Sequence, residues 1–333
     1  MRIAVIGAGA IGSSVGALLA HTGEDVTLIG RPAHVMAIRE SGLRVDGYLG
    51  EFTPRVDAAE SLEFSPDLAL LAVKTQDVTS AVSINAAQLA DVPIVTLQNG
   101  VRSDELVAQI LPRSQIMSVV VVMSATYLTP GRVTLIDRGD LLIGRPFGPN
   151  DAQVQEVART LDKAVPTQVI EDITGAHWTK LMINLNNALP AVTNLPIGEA
   201  YSDPRLSRLA VRLIREGLQV TDKADIRLES LPDVKVSSLR RLGQVPLGIA
   251  ARRFAATARK WEDLQPNYGS TLQSIRRGRP TEIDYLNGEI VGLGGQIGVP
   301  TPLNAKIVEL VHRVERSGQF LTVDAVIRKC GDF

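Results

Sequence analysis

A single cysteine, Cys330, is all the thiol chemistry available to this chain of 333 residues. No disulfide framework can form within it, so a reducing compartment, the cytoplasm, is the default expectation. A catalytic thiol is not expected so near a chain end, because ends are poorly ordered unless docked. Charge of one sign is missing too: 35 basic and 36 acidic residues leave a net charge of −1. That balance gives no reason to expect nucleic acid or an anionic membrane as the main partner. Long hydrophobic runs are absent, and the strongest, Val119–Met123, falls far short of a membrane span. The apolar start is interrupted by Gly7, Gly9 and Gly12 at specific spacing, with no clean cleavage site after it, so it reads as structure and not as a signal peptide. The four histidines (His21, His34, His177, His312) lack ligand spacing, so no metal is expected. No repeat or low-complexity segment argues for an array.

What is present is the composition of a globular protein, 45% apolar and 21% charged, long enough for two domains. Arg2–Ile6 is a run of branched apolar residues, as a buried parallel strand requires. A glycine turn follows, then a helix over 11–20 ended by Gly23, then a second strand over 26–29. This is a βαβ unit. The alternation continues with strands predicted over 67–73 and 93–97 and a helix over 77–90. From Ile116 the pattern predicts an antiparallel extension, closed by a helix from Asp151 and a strand near Gln168. After Asp172 helical periodicity dominates, with helices predicted over 177–189, 204–224, 282–293 and 302–316. Residues 225–265 are the least readable. The expected architecture is α/β: a Rossmann-type dinucleotide-binding domain over 1–170, then a mostly α-helical substrate domain over 171–333.

Gly7-Ala8-Gly9-Ala10-Ile11-Gly12 is G-x-G-x-x-G, and it stands between a predicted strand and a predicted helix, the context the motif requires. Gly7 permits the tight turn, Gly9 lets backbone approach a pyrophosphate, and Gly12 lets helix and strand pack closely. The helix N-terminus offers free N–H groups and a favourable dipole to the anion. At the end of the second strand no carboxylate stands ready for ribose hydroxyls; Glu24 and Asp25 precede the strand, and Gly30-Arg31 follows it. The Arg31 guanidinium suits a 2′-phosphate, so NADP (as NADPH) is expected over NAD.

In the second half, Lys180, Asn184 and Asn187 fall at i, i+4 and i+7, on one face of a helix. A lysine with two carboxamides suits a site that binds a carbonyl and protonates the oxygen, while a solvated polar face is the plainer alternative. Glu282 follows a cap at Thr281, which on pattern alone makes it a first-turn carboxylate; the functional alternative is an acceptor for a substrate hydroxyl. Basic clusters at Arg252, Arg253, Arg259 and Lys260, and at Arg276, Arg277 and Arg279, read as solvated helix faces, with contacts to an acidic substrate as the alternative.

GAGAIG, Val73-Lys74-Thr75-Gln76, Gln98-Asn99-Gly100, Lys180-x-x-x-Asn184, and Ser270 twelve residues before Glu282 within Pro-Thr-Glu-Ile-Asp-Tyr-Leu-Asn-Gly together resemble the ketopantoate reductases (2-dehydropantoate 2-reductases). The resemblance runs through most of the chain. It implies NADPH-dependent reduction of 2-dehydropantoate to (R)-pantoate, on the route to pantothenate and coenzyme A. It makes Lys180 the general acid and Glu282 the group that holds the substrate hydroxyl and helps position Lys180. Asn99 and Asn184 would orient substrate and nicotinamide ribose, Ser270 would meet the substrate carboxylate, and Lys74 and Gln76 would line the cofactor side. Two positions depart from the family. An asparagine one turn after Asn184 is Ala188 here, and Ile197 stands where some members carry asparagine. The rivals are a same-fold reductase of another small 2-oxo acid and a non-catalytic NADP-binding sensor. Monomer and homodimer are equally open.

Overall fold

A computed structural model describes residues 1–260 and 268–331. The chain divides into two compact units, Met1–His177 and Trp178–Phe333.

The first unit opens with β1 (Arg2–Ile6), α1 (Ala10–His21), β2 (Asp25–Ile29), α2 (Pro32–Ser41), β3 (Arg44–Gly47) and β4 (Asp57–Ala59). It continues through β5 (Leu68–Leu71), α3 (Val78–Ile84), β6 (Ile94–Thr96), α4 (Ser103–Ala108) and β7 (Ile116–Val121). It closes with β8 (Ala125–Thr126), β9 (Arg132–Leu135), β10 (Leu141–Gly144), α5 (Ala152–Asp162), β11 (Thr167–Val169) and the first turn of α6 (Ile173–Asn184). Eight strands form one sheet in the order β11-β10-β7-β6-β5-β1-β2-β4. From β7 to β4 every pairing in it is parallel, and this is the strand order of a doubly wound dinucleotide-binding fold. Four of the five β1 residues, Ile3 to Ile6, are buried, because a central parallel strand is covered on both faces. The strand order reverses at β1, so the ends of β1 and β5 flank the switch point where such sheets bind ligands.

Two expectations for this unit need correction. The extension from Ile116 is antiparallel only in part: β7 is parallel to β6 with all six of its residues buried, while β10 pairs antiparallel with β7 and β8 pairs antiparallel with β9 in a separate three-stranded sheet. The predicted helix over 77–90 ends as α3 at Ile84, where the Asn85 side chain donates to the Ala81 carbonyl (2.8 Å) and competes with the helical ladder.

The second unit is helical: the rest of α6, then α7 (Ala188–Thr193), α8 (Ile197–Ser202), α9 (Pro204–Lys223), α10 (Val236–Gln244), α11 (Leu247–Lys260), α12 (Ser270–Arg276), α13 (Asn287–Ile297), α14 (Pro302–Ser317) and α15 (Val323–Cys330). α9 is its axis; Asp203 caps it, Pro204 opens it, and Leu206, Leu209, Leu213, Val220 and their neighbours form its buried stripe. Within residues 225–260, α10 and α11 are held on α9 where Arg215 donates to the Leu242 and Val245 carbonyls at the end of α10; residues 261–265 lie outside the described residues. Arg252 and Arg253 are exposed on α11, as a solvated face requires, while the side chains of Arg259 and Lys260 lie outside the described residues. Cys330 on α15 is buried, and burial pushes its thiol up to about 11, so it stays protonated at neutral pH. Among the described residues no helix is long and apolar enough to cross a membrane.

Candidate active site

The glycine turn is built from β1 outward. The N–H groups of Gly7 and Ala8 both donate to the Ile29 carbonyl (3.0 Å each), which ties the turn to the end of β2. Gly7 has φ +111°, and a Cβ there would lie 2.4 Å from Val73 N on the far side of the switch point. A Cβ on Gly12 would lie 2.1 Å from the Gly7 carbonyl oxygen and 3.0 Å from the Ala72 side chain. Gly9 is different: among the described residues, no atom beyond its chain neighbours and its own helix stands within 4 Å of the position a Cβ would take. Two of the three glycines are therefore demanded by close packing, Gly7 against the end of β5 and Gly12 against the turn itself, while the third keeps clear a space beside the N-terminus of α1. Gly9 is the N-cap of that helix, with no side chain bonded to its first N–H groups and no acidic residue in its first turn. A pyrophosphate fits such a cradle.

Arg31 is exposed one residue beyond Gly30, and a Cβ on Gly30 would touch Ala8 at 2.8 Å, so the arginine leaves the sheet beside the turn. Lys74 and Gln76 follow β5, Asn99 follows β6, and the Thr75 hydroxyl joins those loops by donating to the Asn99 carbonyl (3.2 Å). The loop wall is braced by a residue whose side chain the sequence did not single out. Gln98 Nε2 donates to the Leu71 (2.8 Å) and Val73 (3.1 Å) carbonyls and holds that strand end against Gly7 and Gly12.

In the second unit, Lys180 is half-buried on α6. Loss of hydration brings its ammonium down to about 8, against the opposing attraction of the Glu282 carboxylate. The straight stripe expected for Lys180, Asn184 and Asn187 is altered: α6 ends at Asn184, and Leu185–Asn187 is a 3-10 turn. The two asparagines still meet, Asn187 Nδ2 donating to Asn184 Oδ1 (3.3 Å). The chain just before α12 comes to the same place, since a Cβ on Gly269 would lie 3.0 Å from Asn187 Oδ1 and 3.5 Å from Ile197 Cδ1, and the next residue is Ser270, exposed.

Glu282 is not in a helix either. Thr281 Oγ1 accepts from the Ile283 N–H (3.3 Å), a short 3-10 turn spans Ile283–Tyr285, and α13 starts only at Asn287. The segment is clamped from α14: Glu315 accepts from the Thr281 N–H (2.6 Å), and His312 bridges Glu315 (2.7 Å) and Asp284 (2.9 Å). Burial lowers the His312 pKa, but the two carboxylates outweigh it and raise the pKa overall, so the bridge is favoured in its cationic form.

Sequence reasoning also missed a polar cluster in the first unit. Thr96 and Ser118, paired across β6 and β7, both bond Asp104, and Ser118 meets His177 Nε2 (2.8 Å). Burial pushes the Asp104 carboxyl up to about 6. No local motif could have signalled it, because the register of β6 against β7 pairs Thr96 with Ser118 while Asp104 and His177 arrive from α4 and α6.

The sheet order, the open glycine cradle and a helical unit carrying a lysine–glutamate pair define a dinucleotide-binding enzyme of the doubly wound α/β class. Residues 3–147 match the family Ketopantoate reductase PanE/ApbA, and residues 172–315 match Ketopantoate reductase PanE/ApbA C terminal. The chain belongs to the ketopantoate reductase family. It is 32% identical to the 2-dehydropantoate 2-reductase of Pyrococcus horikoshii, an alignment covering 96% of this chain and 99% of that one. The crystal structure of a PanE/ApbA family ketopantoate reductase from Ralstonia eutropha JMP134 superposes with a TM-score of 0.79 at 31% identity, covering 95% and 99% of the two chains. D-Mandelate dehydrogenase in a ternary structure with NADH and anilino(oxo)acetate shares the fold, with a TM-score of 0.83 at 24% identity over 95% and 99% of the chains.

Proposed function

We propose that this chain catalyses the NADPH-dependent reduction of 2-dehydropantoate to (R)-pantoate, in the cytoplasm, on the route to pantothenate and coenzyme A. The observation that carries the reading is the half-buried Lys180, whose ammonium burial brings down to about 8 against the opposing attraction of Glu282, within a chain that matches the family in both units. NADPH, when bound, supplies a hydride to C2 of the 2-oxo acid. Gly7, Ala8, Gly9, Ala10, Ile11 and Gly12 would hold its pyrophosphate, Arg31 its 2′-phosphate, and Lys74, Gln76 and Asn99 its nicotinamide side.

The work of this chain's own residues is to place the ketone and supply a proton. Lys180, protonated at neutral pH yet nearer to it than an ordinary lysine, is matched to give up a proton to an oxygen that is becoming an alkoxide. Glu282 keeps the ammonium charged and accepts from the substrate hydroxyl. Asn184, Asn187 and Ser270 would orient the 2-oxo acid, Ser270 through its carboxylate.

The test is a panel of small 2-oxo acids assayed with NADPH. The highest kcat/KM is expected for 2-dehydropantoate, and a higher value for another acid would overturn the substrate assignment. That second reading has one specific observation behind it: Ile197 puts an apolar side chain beside Gly269 and Asn187, where some relatives carry an amide. For the cofactor, Arg31→Ala should raise the NADPH KM about tenfold, the loss of one charge-assisted contact, and leave the NADH KM unchanged. Equal effects on both would rule out a 2′-phosphate contact.

A further inference from the structure

The line of α6, 3-10 turn and α7 breaks step for a reason visible in the covalent structure. In an α-helix the Asn186 carbonyl would accept from the N–H four residues on, but that residue is Pro190, which has none and whose ring crowds the carbonyl. A buried carbonyl left without a donor is costly. The structure supplies one from outside: the Tyr201 hydroxyl donates to the Asn186 carbonyl. Tyr201 is 1% exposed, and burial holds its phenol well above the usual range, so it remains a donor at any physiological pH.

The preceding carbonyl is captured too. Asn287, fully buried at the start of α13, donates through Nδ2 to the Leu185 carbonyl (3.2 Å) and to Asn304 Oδ1 (2.9 Å). Asn304 is anchored in turn by donating to Glu216 (2.8 Å) on α9. Both carbonyls at the break are thus bonded by side chains from other elements. Between them they hold Leu185–Asn187 in the tighter 3-10 winding, in which side chains three apart eclipse. The pair so aligned is Asn184 and Asn187, whose amides are bonded to each other.

We propose that Pro190, Tyr201 and Asn287 are positioning residues that impose this turn and thereby set the spacing of the Asn184 and Asn187 amides for the 2-oxo acid. This inference rests on the reading of those amides as substrate ligands, and the variants are chosen to separate the two. Tyr201→Phe keeps the ring and removes the donor. It should raise the KM for 2-dehydropantoate about tenfold, with kcat and the NADPH KM within about twofold of the parent, the signature of lost substrate binding. Pro190→Ala restores the missing N–H and lets the helix run through. It should raise the same KM while Tm holds or increases, because alanine is the better helix residue. A merely structural role would give the opposite pairing, with kinetics following Tm.

Asn184→Ala serves as the reference. If it raises the substrate KM while Tyr201→Phe and Pro190→Ala do not, the positioning inference falls and the amide assignment stands. If Asn184→Ala leaves the substrate KM untouched, the amide assignment falls and the inference falls with it. KM effects in Tyr201→Phe that extend equally to NADPH would also overturn it.

Discussion

Replacing Lys180 with alanine should lower kcat for 2-dehydropantoate by about 10²- to 10⁴-fold, the usual contribution of a positioned general acid, and leave the NADPH Kd unchanged. Binding and chemistry are expected to separate because the glycine turn proposed to hold the phosphates lies in the first unit, whereas the Lys180 ammonium stands on the second-unit part of α6. The acid must be charged to act, which fixes the sign of the pH effect. Activity should hold below the Lys180 pKa of about 8 and fall as pH rises through it. Glu282 opposes the downward shift caused by burial, so Glu282→Gln should move that alkaline limb to lower pH as well as weaken substrate binding. Near-normal turnover by Lys180→Ala would remove the residue from the chemistry.

The second large effect concerns the three glycines, which the structure separates sharply. Gly12→Ala places a methyl 2.1 Å from the Gly7 carbonyl oxygen, a backbone atom that cannot step aside. The turn must open, at a cost of about 2–4 kcal/mol, read as a lower urea midpoint at unchanged m. Gly9→Ala meets no atom of the described residues outside its own helix and chain neighbours within 4 Å and should cost under about 1 kcal/mol of stability, the difference between glycine and alanine as an N-cap. Its effect should fall on the cofactor instead, raising the NADPH Kd at least tenfold, roughly the 1.4 kcal/mol of a spoiled backbone approach. A stable, tight-binding Gly9→Ala protein would mean that the space beside α1 is not where the phosphates go.

The opening βαβ unit was legible because each of its elements is dictated locally. Ile3 to Ile6 have no polar residue to face water, Gly23 ends the helix, and the motif glycines fall between. Helix boundaries were misread wherever a side chain captured backbone. Asn85 stops α3 by bonding the Ala81 carbonyl, and Thr281 with the turn after it delays α13 until Asn287. The 3-10 turn at Leu185–Asn187 had its cause in plain view at Pro190, yet the donors that stabilise it come from Tyr201 and Asn287, distant in sequence. The Asp104–Ser118–His177 cluster draws on α4, β7 and α6, which meet only in the fold, and has no local signature at all. The candidate site was readable as residue types at suggestive spacings, while the tuning of Lys180 by burial and by Glu282 required the fold.

The most direct test of the account is the pH dependence of kcat/KM for 2-dehydropantoate with NADPH, measured on the parent enzyme and on Glu282→Gln. The parent should lose activity as pH rises past about 8, and the variant should lose it at lower pH. A profile that stays level into the ordinary lysine range near 10, or a limb unmoved by the loss of Glu282, would contradict it.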